Sequence, residues 1–158
     1  MTRKRHFLGG FAVLTSALLL SGGALAAPSR TTQSSLLQAV NATRAAYGLR
    51  ALSPDPALTR AARAHSLEML RGGTFAHGDF QGRMNAFHVR ATYVGENLAW
   101  GSGPYGTATA VVREWLASPE HRANLLRPSF TRIGIGTTQG SFLGTGGATV
   151  VTADFSGS

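Results

Sequence analysis

Five side chains in this sequence are the main candidates for binding a metal ion or transferring a proton. They lie near predicted loops and helix ends, and they are His65, His77, Glu96, Glu114 and His121. Two imidazoles and one carboxylate can form an open zinc-type site that leaves one position for water. The three leading candidates are His77, Glu96 and His121, but they come from distant segments, and no H-E-x-x-H motif places two ligands on one helix. Ordinary capping or core roles for each residue remain the alternative.

His121 follows a junction between two predicted helices. Ser118 is a typical N-cap residue, Pro119 suits the first helical position, and Glu120 complements the positive end of the new helix. A helix N-terminus disfavours an imidazolium. We therefore expect His121 to be neutral near pH 7, the form that can bind a metal or accept a proton.

His65 belongs to a second helix, on one stripe with Leu58, Ala62 and Met69. A histidine on an apolar helix face is more often a hydrogen-bonded core residue than a metal ligand. We therefore predict that His65 is buried and hydrogen-bonded.

Other catalytic motifs are absent or lack their context. No G-x-S-x-G motif occurs, which argues against a serine hydrolase. Residues 101–106 match G-x-G-x-x-G, but no acidic residue ends a second strand about 20 residues later and no parallel βαβ unit follows, so dinucleotide binding is not expected. No lysine follows residue 26, which excludes a phosphate-binding P-loop.

The N-terminus has the three parts of a signal peptide. Arg3, Lys4 and Arg5 are basic, residues 7–20 are apolar, and residues 24–26 form a small-x-small cleavage pattern. We predict a signal peptide over residues 1–26, a flexible polar leader over 27–35 and one domain over 36–158. A retained N-terminal anchor is the alternative. Export implies a secreted or periplasmic protein.

The charge pattern favours a basic surface. The formal net charge is +8, and removal of Arg3, Lys4 and Arg5 lowers it to +5. The remaining basic residues are all arginines and are scattered, which suits loose binding to anionic envelope polymers or lipid head groups. No basic helix or zinc-finger spacing supports nucleic-acid binding. The chain has no cysteine, so its core must stabilise it without disulfides.

Helices are predicted before strands. One helix is capped by Ser34 or Ser35 and stops at Gly48, the next begins at Asp55-Pro56 and ends at Gly72-Gly73, and a third is capped by Thr107. Shorter features are one or two turns over residues 83–89, a turn at Gly95 before a short strand, and an antiparallel pair over 130–138 and 148–155, separated by turns at 139–141 and 144–147. This order predicts an α+β fold.

The motifs also resemble a known family. They arrive in family order as residues 36–50, Leu52-Ser53-Pro54, Phe75-Ala76-His77, Gly95-Glu96-Asn97-Leu98-Ala99, residues 115–126 and Ile133-Gly134-Ile135-Gly136. The chain resembles the CAP superfamily, also called the SCP domain, which includes cysteine-rich secretory proteins, insect venom antigens and plant pathogenesis-related proteins. It is most similar to the bacterial secreted branch.

This resemblance implies a three-layer α-β-α sandwich around a small antiparallel sheet. It also implies a central cleft in which two histidines and two acidic residues can hold a divalent metal such as zinc. His77, Glu96 and His121 match three of these positions. Ser118 stands where many eukaryotic members have the second acidic residue, and Glu114 precedes Trp115. We therefore expect a three-ligand site completed by water.

The resemblance is less specific about activity. We expect an exported, single-domain, monomeric binding protein of the cell envelope or medium, with a lipid or an anionic polymer as its envelope ligand, no nucleic-acid partner and no membrane span after signal cleavage. One alternative is a metal-assisted hydrolase of peptide or ester bonds, in which Glu96 serves as ligand or base. Another is a lipid or sterol carrier, since apolar helix faces could line a lipid site as well as a core.

Overall fold

The computed structural model describes residues 33–158. Within this range the helices are α1 (Gln33–Ala46), α2 (Pro56–Gly72), α3 (Phe80–Ala86), α4 (Ala108–Ala117) and α5 (Pro119–Leu125). The strands are β1 (Ser53–Pro54), β2 (Tyr93–Ser102), β3 (Arg132–Phe142) and β4 (Thr145–Gly157). The predicted signal peptide and the leader residues 27–32 lie outside the described residues.

The strands form one sheet in the order β1-β3-β4-β2. β4 pairs antiparallel with both β3 and β2, which confirms the predicted antiparallel pair. β1 pairs parallel with β3 through Ser53 and Pro54, so the sheet is mixed rather than purely antiparallel. Two residues cannot show an alternating pattern, and the sequence therefore gave no sign of β1.

Helices cover both faces of the sheet, which completes the α-β-α sandwich. On β3, Ile133 and Ile135 pack with residues of α1, α4 and α5 in the main core. Gly134 and Gly136 alternate with them and face α2, where a Cβ added at Gly136 would lie 2.2 Å from the Ala62 carbonyl oxygen. The period of two therefore separates a bulky face from a glycine face against which the backbone of α2 can pack.

Two buried side chains hold the layer of α1, α4 and α5 together and attach it to the sheet. Trp115 is fully buried, and its Nε1 donates a hydrogen bond to the Leu98 carbonyl at 2.9 Å. The Arg44 guanidinium at the end of α1 is also fully buried and donates to four carbonyl groups, those of Arg50, Leu125, Arg127 and Phe130. Burial lowers the pKa of Arg44. These bonds join α1 to the segment that follows α5.

Helix ends follow the sequence signals closely. Asp55 caps α2 by accepting hydrogen bonds from Ala57 N at 2.8 Å and Leu58 N at 3.0 Å, and Gly73 ends it with φ +60°. Thr107 caps α4 as predicted. The first helix differs, because Ser34 and Ser35 lie inside α1, which already includes Gln33. The expected leader is therefore helical over residues 33–35.

The predicted turns around the strands were less accurate. Gly95 lies inside β2 rather than in a turn, because β2 pairs with β4 from Tyr93 to Ser102. Residues 139–141 belong to β3, where the pairing shifts between Gly140 and Phe142. The actual turn is at Leu143 and Gly144, which have φ values of 47° and 80°. Cross-strand pairing outweighs the local preference of glycine for turns.

The glycines of segment 101–106 allow two stretches of backbone to pack closely against each other. A Cβ added at Gly101 would lie 2.6 Å from the Tyr105 carbonyl oxygen, and one at Gly106 would lie 2.7 Å from the Gly101 carbonyl oxygen. A short 3₁₀ helix over Gly103–Gly106 follows β2. Because β2 pairs antiparallel with β4, this segment lacks the parallel βαβ context of a dinucleotide-binding motif. Among residues 33–158, no helix is both long and apolar enough to cross a membrane.

Candidate functional site

Glu96 is the centre of the candidate site. It lies on β2, and only 2% of its side chain is exposed. Its Oε1 is 2.7 Å from His77 Nδ1, and its Oε2 accepts a hydrogen bond from Nη2 of Arg83. Both oxygens of this buried carboxylate are therefore engaged by neighbouring side chains.

His77 connects this buried carboxylate to the protein surface. It lies in the loop after α2, and 57% of its side chain is exposed. A carboxylate accepts hydrogen bonds, so the short contact with Glu96 places a proton on Nδ1 of His77. In the neutral ring, Nε2 is then the nitrogen with a free lone pair. Glu96 thus orients His77 and selects its tautomer.

Arg83 and Asp154 complete the buried cluster, although no sequence motif indicates either residue. Arg83 lies on α3, and its Nη1 also donates to the His77 carbonyl at 3.3 Å. Asp154 lies directly opposite Glu96 on β4 and is fully buried. Among the described residues no N–H group donates to either oxygen of Asp154, and its carboxyl group faces the Glu96 carboxylate, to which it can donate a hydrogen bond when protonated. The only available signal was that Asp154 is the one charged residue of the strand predicted over residues 148–155.

The environment of Asp154 favours its neutral form. Burial raises the pKa of Asp154 well above its ordinary value, and the adjacent Glu96 carboxylate raises it further, while Arg83 partly opposes this increase. The cluster therefore contains one buried cation, one buried carboxylate and one carboxyl group that favours its proton. This balance of charges reduces the free-energy cost of removing the Glu96 carboxylate from water.

His65 has the structural role predicted for it. Only 2% of the residue is exposed. Its Nε2 donates to the Ala76 carbonyl at 3.0 Å, and its Nδ1 lies 3.2 Å from Glu68 Oε2. The first of these bonds holds the residue immediately before His77, so His65 supports the loop that carries the exposed imidazole.

His121 lies on α5, in the other helical layer, and two asparagines connect this helix to β2. Asn97 Nδ2 donates to the His121 carbonyl at 2.9 Å. Asn124 Nδ2 contacts both the Glu96 carbonyl and Asn97 Oδ1 at 3.1 Å. Gly95 makes this approach possible, since a Cβ added there would lie 2.8 Å from Asn124 Oδ1. The Gly-Glu-Asn segment therefore both supplies Glu96 and docks α5.

The pKa of His121 is lowered, as predicted, but for a different principal reason. Burial lowers it most, His77 lowers it further, and Glu114 and Glu120 oppose the decrease. The effect of His77 indicates that the two imidazoles lie within electrostatic range of each other. The side chain of Ser118 makes no capping hydrogen bond, although Ser118 does occupy the N-cap position of α5.

The family pattern has a fourth metal-binding side chain, and neither Ser118 nor Glu114 clearly provides it. Glu114 acts on His121 through its charge. Within residues 33–158, no group of three or more His, Asp or Glu side chains is arranged to hold a metal ion. The acidic residue that accompanies Glu96 in this structure is Asp154, which approaches it from inside the protein.

Comparison with known proteins agrees with this fold. The family model described as the cysteine-rich secretory protein family, CAP, matches residues 37–155. The uncharacterized protein YkwD of Bacillus subtilis is 36% identical over 106 residues, which cover 64% of this chain and 40% of YkwD. The chain thus spans well under half the length of that relative.

Solved structures of extracellular proteins share the fold. An extracellular protein of Bacillus anthracis that contains an SCP domain has 26% identity and a TM-score of 0.67, covering 78% of this chain and 39% of its own. An outer surface protein of Borrelia burgdorferi has 21% identity and a TM-score of 0.64, covering 78% and 90%. Together with the family match, these similarities show that the chain belongs to the CAP family, with relatives among bacterial SCP-domain proteins.

Proposed function

We propose that this chain is an exported binding protein of the bacterial cell envelope or medium, and that it binds its ligand in the cleft of His77, Glu96 and His121. The contact of 2.7 Å between His77 Nδ1 and Glu96 Oε1 carries the proposal. It fixes an exposed imidazole so that Nε2 is free to interact with a ligand. The lowered pKa of His121 keeps a second imidazole neutral beside it.

Extracellular and outer-surface relatives support export, as does the signal-peptide pattern of residues 1–26. The net charge of +5 without that segment supports an anionic ligand such as an envelope polymer or a lipid head group. We expect the protein to act as a monomer.

A divalent metal such as zinc fits this cleft only in part. His77 Nε2 and the His121 imidazole are suitable nitrogen ligands. Glu96 was expected to be a third ligand, but its oxygens are bonded to His77 and Arg83. We therefore propose that Glu96 orients His77, as carboxylates commonly orient metal-binding histidines, and that water or the ligand supplies the remaining donors. A bound metal would act as a Lewis acid toward ligand oxygens.

Metal-assisted hydrolysis of peptide or ester bonds is a second candidate function. The same contact favours it, because an imidazole oriented by a buried carboxylate can also accept a proton from water. Chelator-sensitive cleavage of envelope peptides or esters would support this alternative.

A lipid or sterol carrier is a third candidate function. A groove of about 550 Å³ between α1 and α4 is the candidate site for such a ligand, and its lining mixes Ala39, Ala42 and Ala108 with polar residues such as Gln38 and Thr109. Lipids found by mass spectrometry with the purified native protein would support this role.

Zinc calorimetry tests the cleft directly. The chain from Ala27 onward is compared with a His77→Ala/His121→Ala double variant and with His88→Ala, which removes an exposed histidine outside the cleft. We expect zinc binding by the chain and by His88→Ala, and loss of at least tenfold in affinity in the double variant. Equal heats from all three proteins would rule out the proposed metal site.

Co-sedimentation with purified cell-envelope material tests ligand binding by the same three proteins. Retention of the chain and of His88→Ala, with reduced retention of the double variant, would support the proposal. Equal retention of the double variant would place envelope binding outside the cleft.

A further inference from the structure

The outer edge of β3 is only partly covered. β1 pairs with it at Arg132 and Ile133 and then ends. Asp55 N donates to the Ile133 carbonyl at 2.9 Å, so Ile133 directs its backbone polar groups outward. By strand alternation, Ile135, Thr137 and Gln139 do the same. Among residues 33–158, no strand pairs with this outer edge beyond Ile133.

One contact shows how the free backbone groups of this edge can be hydrogen-bonded. The side chain of Gln33 donates from Nε2 to the Ile135 carbonyl, as the amide of an added strand would. Thr137 and Gln139 are the next two outward positions along β3. Their backbone groups offer the same alternating donors and acceptors, which an extended peptide can pair with.

Helices flank this edge on both sides and convert it into a groove. The groove has a volume of about 710 Å³. Its walls include Leu37 from α1 and Thr59 and Arg63 from α2, while Pro54 of β1 closes one end. An open strand beside a helix is the arrangement by which sheet-edge peptide sites add a strand from a partner.

The charge of the groove indicates which peptides would fit. Arg63 is exposed and has no ion pair or side-chain hydrogen bond among the described residues. Among residues 33–158, no aspartate or glutamate lines the groove. Asp55 lies at the end of β1, but its carboxylate is paired with Arg132 at 3.2 Å. An acidic group on the occupant would therefore be attracted to Arg63 without repulsion from the groove walls.

We infer that this groove binds an extended peptide of a partner protein, which displaces the Gln33 side chain from the Ile135 carbonyl, adds a strand along Ile135–Gln139 and places a carboxylate at Arg63. The site is separate from the histidine cleft, because β3 and β2 are on opposite sides of β4 in the sheet. Peptide binding at β3 therefore goes beyond the proposed function of the cleft, and its test does not depend on ligand binding in the cleft.

Amide NMR provides the test. The protein is the chain from Ala27 onward, which contains every described element, and the probe is an acetylated Thr-Val-Thr-Val-Thr-Asp peptide. We expect the amide signals of Ile135, Thr137 and Gln139 to shift and their hydrogen exchange to slow. Arg63→Ala should weaken binding about fivefold, as expected for loss of one exposed ion pair. Arg60→Ala, an exposed arginine of α2 outside the groove, should bind the peptide unchanged.

Three results would overturn the inference. The first is no effect on these amides at millimolar peptide, and the second is equal peptide affinity of the Arg63→Ala and Arg60→Ala variants. The third is slow exchange of Thr137 and Gln139 without peptide. If that protection is lost when residues 27–32 are removed, the chain's own leader occupies the groove. If it is lost on dilution, a second copy occupies it.

Discussion

Glu96 and Asp154 lie directly opposite each other on β2 and β4, and both side chains are buried on the face covered by α2. Like charges at opposed positions of a sheet are destabilising. Arg83 reduces this repulsion by donating to Glu96, and the raised pKa of Asp154 reduces it further because the residue retains its proton. The orientation of His77 therefore depends on a cluster that is almost entirely hidden from solvent.

Asp154→Asn should change the pH dependence of stability. Because the folded-state pKa of Asp154 is raised, the folded protein binds more protons than the unfolded chain above about pH 4, and stability falls as pH rises toward the folded pKa. Asparagine cannot ionise, so the stability of the variant relative to the parent should increase with pH by up to about 1.4 kcal/mol per pH unit. Urea unfolding between pH 4 and 8 measures this difference.

The matched control for this experiment is Asp79→Asn, since Asp79 is exposed and asparagine also caps helices well. Its stability relative to the parent should not show the same trend. A difference for Asp154→Asn that stays constant from pH 4 to 8 would show that Asp154 is ionised in the folded protein.

Arg83→Met should destabilise the protein strongly. The substitution removes the cation that donates to Glu96 and leaves a carboxylate buried without its charge partner. Breaking a buried ion pair in this way typically costs about 3–5 kcal/mol. Urea unfolding at pH 7 should show that loss, whereas Arg113→Met, at an exposed position of α4, should change the stability by less than about 0.5 kcal/mol. Similar stabilities for the two variants would contradict the role assigned to Arg83.

Much of the fold could be predicted from the sequence, because its signals are local. The Asp55-Pro56 start and the Gly73 end of α2 are set by caps within a few residues. Gly95 shows the limit of such signals. Its glycine predicts a turn, yet Gly95 pairs with β4 inside β2, and the absence of a side chain leaves room for α5. Only the folded structure shows that contact.

The candidate site was indicated mainly by family resemblance, which pointed to His77, Glu96 and His121. In the structure Glu96 contacts His77, and the charge of His77 lowers the pKa of His121. Arg83 could not be recognised, because an arginine in a seven-residue helix is usually a surface residue. Asp154 could not be recognised as a partner of Glu96 either, because the pairing of β2 with β4 brings together residues distant in sequence.

Gly95→Ala tests the docking of α5 on β2. The added methyl group would lie 2.8 Å from Asn124 Oδ1 and 2.9 Å from Phe130 Cζ, so α5 must shift. We expect a loss of about 1–3 kcal/mol in the free energy of unfolding, as for other overpacked sites. Gly146→Ala is the control, because a Cβ there meets nothing within 4 Å. If both substitutions cost the same, close packing at Gly95 does not position α5.

Histidine titration by NMR tests whether the two cleft imidazoles interact. His77 contributes to the lowered pKa of His121, so His77→Ala should raise the pKa of His121 toward its ordinary value. Glu114→Gln should have the opposite effect, because Glu114 raises that pKa. An unchanged pKa of His121 in His77→Ala would show that the two histidines are too far apart to form one cleft.

The tautomer of His77 tests the central claim most directly. Long-range nitrogen-proton NMR of the chain from Ala27 onward distinguishes a proton on Nδ1 from one on Nε2 of the neutral ring. The contact with Glu96 predicts that His77 carries its proton on Nδ1, with Nε2 free. His88, which is exposed and makes no side-chain hydrogen bond among the described residues, serves as the reference in the same spectrum. A proton on Nε2 of neutral His77 would contradict the proposed cleft.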